Sequence, residues 1–147
     1  MAIDAIYPSL RNKTVLITGG GSGIGEALTR AFIAQRAKVG FLDYDKAASE
    51  TLAAELDSPD LHFEYCDLRD IDALQAAVKA VTAKLGPIRI LVNNAALDDR
   101  HSLESVTSDY FDERIATNLK HQLFAAQAVA GPMAAAGGGS IINMGST

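Results

Sequence analysis

At 147 residues the chain has the length of one folded domain. Its composition, 48% hydrophobic and 21% charged, supplies a core and excludes extensive disorder. The net charge of −5 leaves no basic face for nucleic acid or an anionic membrane. The single cysteine, Cys66, excludes an intramolecular disulfide and a cysteine-rich metal site. Residues 1–10 lack the basic run and apolar stretch of a signal peptide, and the longest uncharged apolar run is too short to span a bilayer. Together these features predict a cytoplasmic protein with no metal centre.

Short apolar runs alternate with stretches of helical period. Residues 13–18 (KTVLIT) read as a first strand that opens into a glycine-rich turn. Ile24, Ala27, Leu28, Ala31 and Phe32 then form a helical stripe. A second strand is predicted over 38–43 (KVGFLD), followed by a helix marked by Ala48, Leu52 and Leu56. Leu61, Phe63 and Tyr65 alternate with polar residues in a third strand. The next helix is capped by Asp70 and buries Ile71, Leu74, Val78, Val81 and Leu85 before Gly86-Pro87 breaks it. Residues 89–93 (RILVN) read as a strand buried on both faces. One long helix is predicted from Ser108 towards Ala136, kinked at Pro132, and a last strand over 140–144 (SIINM). The pattern is α/β: a Rossmann-like, doubly wound parallel sheet ordered 3-2-1-4-5 with right-handed crossovers.

The strongest chemical signal is Thr18-Gly19-Gly20-Gly21-Ser22-Gly23-Ile24-Gly25, which ends a strand and opens a helix. Glycines in that context let the backbone approach a pyrophosphate, whose charge then sits at the helix N-terminus. Asp43, at the C-terminal end of the second strand, stands where the adenosine ribose of a dinucleotide would lie. A carboxylate there hydrogen-bonds both ribose hydroxyls of NAD and repels the 2′-phosphate of NADP. No Lys or Arg occurs between Gly19 and Glu26 to receive such a phosphate. NAD is therefore the expected cofactor.

TGGGSGIG resembles the TGxxxGxG motif of the short-chain dehydrogenases/reductases, and its glycine spacing differs from that of the extended, epimerase-like members. Further matches follow in the family's order. Cys66-Asp67-Leu68 resembles its adenine-contacting pair, Asp67 and Leu68. Asn93-Asn94-Ala95-Ala96 resembles NNAG, with Ala96 in place of the usual glycine. Asn118 resembles the active-site Asn, and Ser146, in SIINMGS, the catalytic serine. Taken singly, Asp67 could end a strand, Asn93-Asn94 could form a turn and Ser146 could be a surface residue; their joint order carries the resemblance. It implies a cofactor site built from Gly19, Ser22, Gly23, Ile24, Gly25, Asp43, Asp67, Leu68, Asn94, Ala95 and Ala96, with Asn118 and Ser146 in catalysis. The implied reaction is hydride transfer between a C–OH group and the nicotinamide, with a tyrosine as base beside a lysine.

The family's Tyr-x-x-x-Lys pair is absent from these residues. Tyr7, Tyr65 and Tyr110 are followed four positions on by Arg11, Arg69 and Arg114, which read as coincidental surface pairs. The expectation is an NAD-binding Rossmann domain over 1–147, the N-terminal part of a single-domain enzyme of about 250 residues, without turnover by itself. The Asp98-Asp99-Arg100-His101 stretch, the helix before Asn118 and the opening residues 5–10 resemble the sugar-oxidising members, the aldose 1-dehydrogenases of the D-xylose type. Asp98, Asp99 and His101 are thus candidate substrate contacts for sugar hydroxyls, or else a solvated loop or subunit contact. The resemblance implies oxidation at C1 to an aldonolactone, a small-molecule partner and a homo-oligomer, a tetramer. A reductase of an acyl or steroid carbonyl and an NAD-binding module without catalysis stay open as alternatives.

Overall fold

The computed structural model describes residues 5–145. Its strands are β1 (Thr14–Thr18), β2 (Lys38–Asp43), β3 (Leu61–Tyr65), β4 (Ile88–Asn93) and β5 (Ser140–Asn143). Between them run α1 (Gly23–Ala34), α2 (Lys46–Leu56), α3 (Ile71–Leu85), α4 (Ser108–Ile115) and α5 (His121–Ala135). The strands form one five-stranded sheet, ordered β3-β2-β1-β4-β5 and parallel at every pairing. This is the Rossmann-like order expected from the sequence.

Alternation along the strands builds a core on each face, as period-2 geometry requires. Val15 and Ile17 of β1, Val39 and Phe41 of β2 and Val92 of β4 pack with Leu52 of α2 and the inner side of α1. Leu16, Leu42 and Leu91 point the other way, onto Leu74, Val78, Val81 and Leu85 of α3 and Ala125, Val129 and Met133 of α5. The helices begin where polar caps are available: Asp45 accepts from the Ala48 amide and Asp70 from the Ala73 amide, both at 3.0 Å. Gly86, at φ 92°, ends α3.

The expected long helix is helical throughout, but its hydrogen-bond ladder changes over Ala116–Lys120, which form a π turn between α4 and α5. A π turn is a change in backbone hydrogen bonding with no residue type of its own, so the segment reads in the sequence as one helix. Pro132 lies inside α5, which continues to Ala135. All four residues of β5 are exposed, at the open edge beside β4.

Helix α3 comes close to the sheet at Gly40 in β2, where a Cβ would lie 2.3 Å from Val81 Cγ1. Val81 is fully buried and stiff at χ1, so it cannot swing aside. Gly40→Ala is expected to lose about 1–3 kcal/mol in urea unfolding. The loss should shrink in a Val81→Ala background; equal losses in both backgrounds would show that this contact is not the cause.

Candidate functional site

β1 lies between β2 and β4, so the connections leaving β1 and β4 diverge to opposite sides and open a crevice at their C-terminal ends. The glycine-rich turn fills one wall. Gly19 sits at φ +66°, and a Cβ on it would lie 2.9 Å from Ala95 Cα. Its amide donates to the Leu42 carbonyl at 2.7 Å. A Cβ on Gly25 would come within 1.7 Å of the Gly19 carbonyl oxygen, so only glycine lets α1 pack directly on the turn. Ser22, the N-cap of α1, makes no side-chain capping bond, and Ser22, Gly23 and Ile24 are exposed. The first amides of α1 therefore face the crevice with the positive end of the helix dipole. These residues fit a pyrophosphate.

Asp43 is 6% exposed. Its Oδ2 accepts from the Gly21 amide at 2.9 Å and its Oδ1 from the Asp45 amide at 3.0 Å. The carboxylate thus clamps the glycine turn to the end of β2 and places a negative charge beside it. The nearest groove, about 370 Å³, is lined by Gly21, Ser22, Glu26, Arg30, Ala48 and Glu55. Arg30 there is held by Glu26 at 2.8 Å and by Glu55, so its charge is already matched by two carboxylates. On the far side of β2, Asp67 is chelated by Arg69, which also reaches Glu113 of α4 at 2.8 Å. The guanidinium holds the Asp67 carboxyl below the usual carboxylate range. Leu68 is buried in the core facing α3 and α5. Burial and the neighbouring carboxylates push the Cys66 thiol up to about 11, so it is no nucleophile.

The opposite wall is the turn after β4. Asn94 donates its side-chain amide to the carbonyls of Thr18 and Gly19 at 3.1 and 3.0 Å. The backbone amides of Asn94 and Ala95 donate to Thr18 Oγ1 at 3.0 and 3.1 Å. Thr18 Oγ1 also meets His121 Nε2 at 3.1 Å, while His121 Nδ1 bonds the Thr117 carbonyl. Asn118, in the π turn, bonds both backbone groups of Leu97: Oδ1 accepts from the amide at 2.8 Å and Nδ2 donates to the carbonyl at 2.9 Å. The Asn118 carbonyl is taken by the Gln122 side chain at 2.9 Å. Ala96 is exposed at the mouth. Ser146 lies outside the described residues.

The loop carrying the candidate substrate residues is tied to α4. Asp99 pairs with Arg114. His101 Nδ1 meets the Tyr110 hydroxyl at 2.6 Å, and the Arg114 guanidinium stacks 4.4 Å above the Tyr110 ring. Tyr110 and Arg114 are therefore not a coincidental pair: one helical turn brings them together and they grip the loop jointly. Asp98 is exposed. The sequence reading discounted Tyr110 and Arg114, and it missed Gln122 and His121. The one available signal for the last was a histidine inside the apolar α5 run.

His121 is 0% exposed, and burial lowers its pKa from 6.5, partly opposed by the bond to the Thr117 carbonyl. The unfolded chain therefore takes up a proton more readily than the folded one. The stability of the neutral ring is complete above 6.5 and is lost as pH falls below that value towards the depressed one. Thermal melts between about pH 8 and pH 5 should show this decline. It should be smaller in His121→Gln, which has no ring to protonate; identical pH profiles would exclude His121 as a source.

The family model described as short chain dehydrogenase matches residues 13–147. The chain is 51% identical over 145 residues to D-xylose 1-dehydrogenase of Caulobacter vibrioides, covering 97% of this chain and 57% of that protein. It is 49% identical over 144 residues to the "Probable galactose dehydrogenase" of Rhizobium meliloti, covering 95% and 56%. The crystal structure of gox2181 superposes with a TM-score of 0.87 at 27% identity, covering 93% of this chain and 55% of that one. The chain thus spans about half the length of the curated relatives it matches. With the doubly wound sheet, the glycine turn and the Asn118-bearing helix in place, the chain belongs to the short-chain dehydrogenase family of oxidoreductases.

Proposed function

We propose that this chain is the cofactor-binding part of an NAD-dependent sugar dehydrogenase that oxidises an aldose at C1 to an aldonolactone. The observation that carries the cofactor choice is Asp43, a buried carboxylate hydrogen-bonded to the glycine turn, while Arg30 in the groove lined by Gly21 and Ser22 is already paired. A 2′-phosphate brought there would meet uncompensated negative charge. The substrate class rests on the sugar-dehydrogenase relatives, at 51% and 49% identity. The setting that suits the reduced Cys66 is the cytoplasm.

Bound NAD would supply the hydride acceptor, its nicotinamide C4. The residues of this chain would hold and orient it: the first amides of α1 and Ser22 at the pyrophosphate, Asp43 at the adenosine ribose, Asp67 and Leu68 at the adenine, and Asn94, Ala95 and Ala96 along the nicotinamide half. Ser146 would stand at the reacting oxygen, and Asn118 would help hold a proton-relay water beside the base's lysine. No tyrosine here is followed four residues later by lysine, so proton abstraction would fall to residues C-terminal to these in a longer single-domain enzyme. The exposed faces of β5 would pack against that part. Phe111, Ile115, Leu119 and Leu123 are all exposed and recur every four residues along α4, the π turn and α5. Such a stripe suits a helix-on-helix contact between subunits of a homo-oligomer.

The intact enzyme should reduce NAD, read as NADH absorbance, with D-xylose and related aldoses and far less with a steroid alcohol. No response to any aldose would overturn the substrate class. Asp43→Asn keeps the shape of the side chain and removes its charge. It should weaken NAD by about tenfold through the lost charge-assisted bond and narrow the preference over NADP, measured by calorimetric titration. An unchanged preference would remove Asp43 from cofactor choice. Leu123→Glu should lower the mass seen in analytical ultracentrifugation; an unaltered mass would place the subunit contact elsewhere.

A further inference from the structure

His121 opens α5, yet its side chain is fully buried and reaches the C-terminal end of β1. A hydroxyl has one proton to give and two lone pairs to receive with. Thr18 Oγ1 receives the amides of Asn94 and Ala95 at 3.0 and 3.1 Å, which fills both lone pairs. Its proton is left for the third partner, His121 Nε2 at 3.1 Å. That nitrogen must therefore be unprotonated. His121 Nδ1 faces the Thr117 carbonyl, which can only accept, so Nδ1 carries the ring proton. The donors all run one way, from Asn94 and Ala95 through Thr18 and His121 to Thr117, and bonds so aligned reinforce one another.

We infer that His121 is a positioning residue that ties the π turn carrying Asn118 to the cofactor turn through the Thr18 hydroxyl. Asn118 is the residue after Thr117, and in the proposed complex Asn94 and Ala95 would line the nicotinamide half, so one imidazole would set the spacing between the π turn and the cofactor wall. The functional half of this inference rests on the NAD-dependent reading above; the proton order does not.

The test uses the intact protein. Nitrogen-15 spectra of the histidine rings, assigned with His121→Gln, should show His121 neutral at pH about 7 with its proton on Nδ1. A proton on Nε2, or a charged ring, would overturn the inference. Two variants separate hydrogen bonding from packing. His121→Gln keeps polar atoms within reach of Thr18, whereas His121→Leu keeps only apolar volume and takes from the Thr18 proton its acceptor and from the Thr117 carbonyl its ring donor. Amide exchange at Asn94 and Ala95 should be about tenfold faster in His121→Leu, and NAD binding about tenfold weaker. His121→Gln should stay within about threefold of the parent in both. A leucine variant matching or exceeding the glutamine variant would overturn the inference. If the parent itself bound no NAD, the cofactor reading would fall, while the ring spectra and amide exchange would still decide the link.

Discussion

A Cβ on Gly25 would stand 1.7 Å from the Gly19 carbonyl oxygen, and much of the site geometry depends on that gap being empty. Because it is empty, the first turn of α1 rests on the backbone of the turn that leaves β1. Thr29, one turn further along α1, then donates to the Gly20 carbonyl at 3.0 Å. Two contacts from one helix, one by close approach and one by hydrogen bond, thus hold the turn on its α1 side. The amides at the helix start consequently have a fixed direction. An anion site made of backbone amides works only if those amides need not reorganise when the charge arrives.

The other side of the turn is held by electrostatics and by a hydroxyl. Asp43 receives amides from Gly21 and Asp45, so β2 reaches across to the turn. Thr18 receives amides from Asn94 and Ala95, so β1 reaches across to β4. Both acceptors are buried at the C-terminal ends of their strands, and Thr18 ends β1, beside the point where the sheet order reverses. Buried polar groups of this kind cost free energy unless satisfied. Each satisfies part of its demand with backbone from the neighbouring connection, which couples the stability of the crevice to its shape.

The strands were legible because four are short runs rich in apolar residues and β3 alternates apolar with polar, and 38–43 was read to the residue. Asp70 as a cap and Gly86 as a stop were legible because they act through local geometry. The glycine turn was legible because a strand must precede it and a helix must follow. The π turn was not, since it changes backbone hydrogen bonding and has no residue type of its own, although an Asn in mid-helix was a signal that the ladder has a second use there. His121 was not legible either, because its partner Thr18 is 103 residues away in the chain. Tyr110 and Arg114 were seen as a pair and discounted; what the spacing could not show is that Asp99 and His101 come back to meet them.

That last contact changes how the loop after Ala96 works. Asp99 spends its carboxylate on Arg114, and His101 spends one ring nitrogen on Tyr110. A sugar hydroxyl competing for either would have to displace a charged or short bond already made. At the loop's start, Leu97 is held by both atoms of the Asn118 amide. The loop is therefore pinned at one end to Asn118 in the π turn and, further on, to α4, which leads into that turn. In the proposed sugar site, Asp99 and His101 contribute by fixing the backbone, while the exposed Asp98 side chain and the outer edge of the His101 ring remain to meet substrate. Rigid placement of a few polar groups is what discrimination among sugars that differ in single hydroxyls requires, because an imprecisely held partner loses little when its hydroxyl is missing.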